Sequence, residues 1–294
     1  VINVCGLIYE GLVELDDELK PAPALAESWS ISEDGRVWTF KLRQGVKWHD
    51  GVEFSVEDVL FTIDILRSGG HDTYYAKKFN RLDCIENIKA TGTDAFYVQL
   101  THPVSFFLDS FTFPIIPKHI FGKLGQVAEK SSTKESEKGT KEDQREDRQT
   151  KDADNEENFK KSQYIRESRL APVGTGPYKV NTETFNLDES FTLEPNDSYW
   201  DDKPYIDEIQ VKVYGKSTDI INAFQAREID ILDTSVIFAD TYASSDDVVL
   251  YRYLTQDYEF LAINHTNPAL NDTYVRKALA YGIDRKSIIK EIYL

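Results

Sequence analysis

The 294-residue sequence contains no methionine and only two cysteines, Cys5 and Cys84. Two cysteines exclude a disulfide scaffold and a cysteine-rich zinc site. Without methionine there is no thioether to offer a metal a soft contact. Basic residues are in deficit: 34 Lys and Arg stand against 51 Asp and Glu, a formal charge of −17. Such a surface repels a polyanion, so no nucleic-acid partner is expected. No apolar run approaches the ~20 residues that cross a bilayer, and no signal-peptide or lipidation pattern is visible. Val1 lies inside an apolar run that reaches Ile8, and Leu294 falls inside a helical pattern. Both ends are therefore expected to be internal to a longer chain.

Catalytic motifs are missing as well. His49, His71, His102, His119 and His265 make no close pair, and no helix carries His-Glu-x-x-His. A metal site needs convergent ligands of set geometry. No Gly-x-Ser-x-Gly elbow occurs. Gly174-Thr175-Gly176-Pro177-Tyr178 lacks the Lys-Ser/Thr of a phosphate loop, and Pro177 removes an N–H donor. It reads as a tight turn or crossing segment. His49, before Asp50-Gly51, reads as a turn residue. The chain is expected to be no enzyme and to need no cofactor or metal.

What is present suffices for a packed core: 40% of residues are apolar and 12% aromatic, in a chain long enough for two ordinary domains. Val37–Leu42 alternates, with Trp38, Phe40 and Leu42 on one side, which predicts a half-buried strand after the turn at Glu33-Asp34-Gly35. Ala24–Trp29 reads as a helical turn. Ser55, with Asp58 three residues on, predicts a helix start. The helix carries Val59, Ile63 and Leu66, and Gly69-Gly70 stops it. Strands are expected at 85–90, 96–100, 178–180, 190–193, 209–214, 229–231, 250–254 and 260–263. A helix is expected from Thr218 or Asp219. A final helix from Thr273 carries Val275, Leu279, Ile283, Ile288 and Ile292. Residues 129–161 hold almost no apolar side chain and read as a disordered or surface-helical insertion. The class is α/β or α+β, and the absence of a regular βαβ rhythm excludes a barrel. Tyr74-Tyr75, in a polar loop, is a candidate ligand-facing pair.

Several blocks resemble a known family. The first runs from Pro23-Ala24-Leu25-Ala26-Glu27-Ser28-Trp29 through Trp38-Thr39-Phe40 and Leu42-Arg43-Gln44-Gly45-Val46-Lys47-Trp48-His49-Asp50-Gly51 to Glu57-Asp58-Val59. Pro114-Ile115-Ile116-Pro117-Lys118-His119, Gly174–Tyr178, Asn196 to Trp200 and Ile229-Asp230-Ile231 follow in order. Val275–Tyr281 with Ile283-Asp284-Arg285 closes the series. Together they resemble the family 5 extracellular solute-binding proteins of ABC importers, the dipeptide, oligopeptide and nickel binders.

The resemblance implies an α/β fold: a periplasmic-binding-protein-like class II lobe of mixed sheet with helices, a small inserted α+β domain, and no second lobe. Residues 1–36 and 169–294 would form the main lobe, and 37–168 the inserted domain with the charged stretch. Trp29, Trp38, Phe40 and Trp48 would pack it. It implies peptide binding without catalysis in an interlobe cleft, delivery to a membrane permease, and a monomer. The protein would be lipid-anchored outside the cell membrane or periplasmic. Nickel-chelate, haem or sugar ligands, and a peptide-pheromone receptor or interaction module, are the alternatives. Carried over by position, the ligand-binding residues are Asn264 with Ile263 and His265, Tyr74 or Tyr75, and Asn3 with Gly6. Asp50 and Arg276 read as structural, with Arg276 expected to pair with a carboxylate.

Overall fold

The computed structural model describes residues 4–68, 80–122, 172–186, 188–233, 242, 245–253 and 260–293. Asn3, Gly69-Gly70, Tyr74, Tyr75 and the 129–161 stretch lie outside the described residues. The chain divides into two compact units. The larger comprises Asn3–Asp16 and Lys20–Gly215; the smaller comprises Val1–Ile2, Asp17–Leu19 and Lys216–Leu294.

In the larger unit a short helix α1 (Cys5–Ile8) precedes a two-stranded ribbon, β1 (Val13–Leu15) and β2 (Pro21–Pro23). A four-stranded antiparallel sheet follows in the order β3-β4-β6-β5, from β3 (Ala26–Ile31), β4 (Val37–Leu42), β5 (Ile85–Ala90) and β6 (Ala95–Leu100). Helix α2 (Val56–Ser68) packs on it. A second antiparallel sheet is built from β7 (Tyr178–Val180), β8 (Ser190–Pro195) and β9 (Ile209–Lys212).

The period-two pattern explains the first sheet. Trp38, Phe40 and Leu42 on β4 face Phe96 and Val98 on β6, and all are buried. Phe40 and Phe96, directly opposite, stack at 5.0 Å between centroids. The β3–β4 turn closes on Gly35 at φ +70°, a conformation that glycine adopts without a Cβ clash. Ser32 Oγ and the Arg36 N–H both donate to Asp34 Oδ1. The segment 24–29, expected as a helical turn, is mostly strand, because Ala26–Ile31 pairs with β4 and sets Trp29 opposite Phe40. The ladder outweighs local helix propensity there.

Helix α2 begins as its sequence predicts. The Ser55 N–H and Oγ donate to Asp58 Oδ2 at 2.9 and 3.1 Å. Val59 and Ile63 are fully buried, with Leu66 packed against the same core. That core takes in Leu12, Leu25, Trp48, Phe107, Phe111 and Ile115. A smaller cluster gathers Ile8, Tyr178, Val180, Phe191 and Leu193 between α1 and the second sheet.

The smaller unit holds α3 (Ser217–Gln225), α4 (Pro268–Asn271), α5 (Thr273–Gly282) and α6 (Arg285–Ile288), the last running into a wider turn at Ile289–Tyr293. The single long helix expected from Thr273 is broken. Gly282 ends α5, Ile283 is extended, and Asp284 caps α6 by accepting from the Lys286 and Ser287 N–H groups. Residues 229–231, 250–253 and 260–263 are not strands among the described residues. An extended segment is a strand only when a neighbour completes its hydrogen bonds.

Candidate functional site

The residues expected to bind ligand fall in different parts of the chain. Gly6 lies in α1, in the larger unit. Ile263, Asn264 and His265 lie in the smaller unit, ahead of α4. Asn264 is committed locally: its Oδ1 accepts from the Thr266 N–H and Oγ at 2.9 and 2.8 Å. Ile263 is half-buried, and Asn264 and His265 are exposed. Asn3, Tyr74 and Tyr75 lie outside the described residues.

The polar centre of the larger unit is the crossing of residues 174–178 over α1. Gly174 and Gly176 run against the backbone of Leu7 and Ile8. A Cβ at Gly174 would stand 1.8 Å from Ile8 O, and one at Gly176 would stand 2.6 Å from Leu7 O. The Gly176 N–H donates to Ile8 O at 2.9 Å. Glycine is required here for close approach, not for a phosphate.

His49 is in a turn, as expected, closed by the Gly51 N–H donating to Trp48 O, and it also holds this crossing from the other side. Its N–H donates to Gly174 O. Gly174 N–H donates to Nδ1 at 3.2 Å, and Nε2 lies 3.0 Å from Gly176 O. Nδ1 therefore accepts and Nε2 carries the proton, so the bonding fits the neutral ring. Burial lowers the pKa of His49, and the Gly176 carbonyl opposes that shift. Asn196 Nδ2 also donates to Gly176 O, at 3.1 Å, while its N–H donates to Pro177 O. Both ring nitrogens of His49 are engaged by backbone, so neither is free to act as a base on a substrate.

Beside the crossing, Glu10 is a half-buried carboxylate. Trp200 Nε1 donates to both of its oxygens, at 3.1 and 3.0 Å, and Tyr199 OH donates at 2.9 Å. Arg43 lies 3.9 Å above the Trp200 ring, and its Nε donates to Ala24 O. Burial raises the pKa of Glu10; the bonds from Trp200 and Tyr199 oppose the shift, and Glu14 adds to it. Glu14 is itself raised, by burial and by Asp201. Nothing in the spacing of Glu10 and Trp200 signalled that they meet.

A third knot fastens 114–119. Asp58 Oδ1 accepts from the Lys118 N–H at 2.8 Å, Thr62 Oγ1 accepts from the Ile116 N–H, and Glu57 pairs with Lys118. His119 Nε2 sits 2.7 Å from Asp50 Oδ2. Asp50 is thus structural, as expected. So is Arg276, but among the described residues its guanidinium reaches not a carboxylate but the carbonyls of Leu270 and Asn271 and the hydroxyl of Thr273. These carbonyls end α4, where a cation is favoured.

An open groove of ≈ 370 Å³ on the four-stranded sheet is lined by Ser28, Trp29, Ser30, Thr39, Phe40, Lys41, Asp94 and Ala95. It takes in none of the expected ligand-binding residues, and its Lys41 is paired with Glu27 at 2.9 Å. Cys5 and Cys84 are not joined by a disulfide. Among the described residues no group of three or more His, Cys, Asp or Glu could hold a metal ion, and no helix is long and apolar enough to cross a membrane.

Residues 20–294 match the family model for bacterial extracellular solute-binding proteins, family 5. The chain belongs to this family. This family 5 chain is 25% identical over 294 residues to the oligopeptide-binding protein AppA of Bacillus subtilis, which covers 99% of the chain and 47% of AppA. It is 26% identical over 289 residues to the nickel-binding periplasmic protein of Escherichia coli, covering 97% and 48%. In structure it resembles the periplasmic binding protein DppA of Helicobacter pylori, solved with the peptide STSA. The TM-score is 0.63 at 26% identity, over 98% of this chain and 53% of that one. The chain spans about half the length of the curated relatives it matches.

Several of the blocks that carried the resemblance are residues of these knots. His49, Glu57-Asp58, Pro114–His119, Gly174–Tyr178 and Asn196–Trp200 build the frame of the larger unit. Ser28-Trp29 and Thr39-Phe40, from the first block, line the groove instead.

Proposed function

We propose that this chain is part of the substrate-binding component of an ABC importer, and that the complete protein holds a peptide without covalent chemistry and delivers it to a membrane permease. The observation that carries this reading is the family match over residues 20–294. The relative AppA is named for oligopeptide binding, and DppA was solved with a bound peptide. The committed hydrogen bonds of His49 and Glu10 agree with a binding role, since they leave neither group poised for proton transfer. The residues proposed to face the ligand are Gly6, Asn3, Tyr74, Tyr75 and Ile263–His265. The main lobe is proposed to comprise 1–36 and 169–294, with 37–168 inserted. The working protein is proposed to be a monomer, lipid-anchored on the outer side of the cell membrane or periplasmic.

Ligand-observed NMR on the purified 294-residue chain tests the reading. Tri- to pentapeptides should show saturation transfer at millimolar concentration, with Kd weaker than about 10 μM because half the enclosing surface of the relatives has no counterpart here. The nickel–histidine complex and a disaccharide should show none. Saturable binding of the nickel complex with no response to any peptide would move the assignment to the nickel binders, a reading that the E. coli relative also permits.

A further inference from the structure

The turn at 48–51 is gripped on two sides, and the two grips depend on a proton in opposite ways. The turn tips a small hairpin in which the Trp48 N–H donates to Val52 O and the Phe54 N–H to Val46 O. Trp48 is 1% exposed and belongs to the main core, so the tip has a firm base. On one side His49 holds the 174–176 crossing by three bonds. Its N–H donates to Gly174 O at 2.9 Å, its Nδ1 accepts from the Gly174 N–H at 3.2 Å, and its Nε2 donates to Gly176 O at 3.0 Å. On the other side Asp50 Oδ2 lies 2.7 Å from His119 Nε2, and the His119 ring meets Trp48 edge-on at 6.3 Å. Asp50 Oδ1 accepts from the Val52 N–H.

The His49 bonds exist only for the uncharged ring. A proton on Nδ1 would set two donors face to face, Nδ1–H against the Gly174 N–H, around a half-buried residue. The His119 contact is the converse, since a protonated imidazole beside a carboxylate becomes an ion pair. Charges around His49 come from two elements: Lys179 on β7 opposes a proton on the ring, and Asp50 on its own turn favours one. A charged His119 neutralises Asp50 and withdraws that help. The crossing, Gly174-Thr175-Gly176-Pro177, brings no titratable side chain, and Asn196 is neutral. The crossing also has partners away from the turn: the Gly176 N–H donates to Ile8 O, and Asn196 Nδ2 donates to Gly176 O. Losing His49 would therefore free it from the turn and leave it on α1.

We propose that the turn at 48–51 is an acid-released latch. Near neutral pH it grips the 174–176 crossing through the uncharged His49 ring. In acid the crossing parts from the turn, which stays fastened to 114–119 through Asp50 and His119. A histidine titrates at ~6.5 when free, and burial holds His49 below that while latched, so the latch weakens by up to about tenfold for each pH unit below ~6.5. Helix α1, bonded to the crossing, carries Gly6. Resting on the functional reading above, acid thus loosens a ligand-facing segment.

Amide exchange by NMR on the 294-residue chain at pH 7.5 and pH 5.5 tests the latch. Each rate is divided by that of the unstructured chain at the same pH, so that the intrinsic pH dependence cancels. Protection at the His49 and Gly174 amides should fall about 10-fold between the two conditions, while the amides of β4 and β6 keep theirs. Nitrogen shifts of the His49 ring should show a neutral ring protonated at Nε2 at pH 7.5, and the ring should titrate together with the loss of protection. His49→Gln should abolish the pH dependence, and His119→Gln should retain it. Protection that holds at pH 5.5 overturns the proposal. So does a loss that persists in His49→Gln, a loss shared by β4 and β6, or a His49 ring protonated at Nδ1 at pH 7.5. If the glutamine variant does not fold, the parent decides: a loss of protection that does not follow the His49 titration overturns the latch. The functional reading fails separately. A chain that answers no peptide at pH 7.5 refutes that reading, and the amide measurement still decides the latch.

Discussion

Gly174→Ala is the sharpest probe of the frame. Its Cβ would lie 1.8 Å from Ile8 O and 2.6 Å from the Ile8 carbonyl carbon, whereas even close carbon–oxygen contacts sit at about 3.3–3.6 Å. One backbone must move by more than about 1 Å, and neither belongs to a flexible side chain. The move strains the Gly176–Ile8 bond and the three bonds between His49 and the 174–176 backbone. Overpacking costs about 1–3 kcal/mol. Each weakened bond adds up to about 1 kcal/mol, so a total loss of roughly 3–5 kcal/mol is expected. For a domain of this size that lowers Tm by about 10 °C. Urea and thermal unfolding followed by Trp48 and Trp200 emission reads it. Gly215→Ala is the control, since nothing lies within 4 Å of its Cβ, and it should change stability by less than about 0.5 kcal/mol. A Gly174→Ala protein melting within about 1 °C of the parent would refute the close-approach argument.

Asp58→Ala should cost about 2 kcal/mol, because it removes the helix-start acceptor and leaves the part-buried Lys118 N–H without its Asp58 partner; Asp58→Asn should recover part of that in the same melts. His49 has a lowered pKa in the folded chain, so the unfolded chain takes up its proton first. Stability should therefore fall as pH drops below ~6.5, and His49→Gln, which keeps one donor and one acceptor, should flatten that part of the curve. Glu10 has a raised pKa, so the folded state holds its proton more tightly. Its contribution is present at low pH and is lost as pH rises from the ordinary carboxylate value of ~4.3 through the raised one. Glu10→Gln should then gain stability relative to the parent between pH 4 and 7, and a pH-independent difference would show that burial is not what shifts Glu10.

Local features of the sequence settled the local structure. Alternation from Val37 to Leu42, the Asp34-Gly35 turn and the Ser55–Asp58 cap each act within a few residues, and each appears where expected. The helix from Thr273 is legible as amphipathic, but its break is not, because Asp284 shows itself as a cap only where its carboxylate accepts from the Lys286 and Ser287 N–H groups. The strands expected at 229–231, 250–253 and 260–263 show the opposite limit: apolar pattern nominates a strand, and only a hydrogen-bonding neighbour makes one. Apart from Tyr74-Tyr75 in its polar loop, the residues proposed to face a ligand came from resemblance, since a cleft is defined by surfaces and not by spacing.

Composition and motif absence bear on function, and ordered blocks named the family, because both are properties of the linear chain. What those blocks do was decided in three dimensions. His49 meets Gly176 across 127 positions, and Glu10 meets Trp200 across 190. Over such separations no periodicity carries information, and only the packed backbone determines which polar groups leave water together and must satisfy one another.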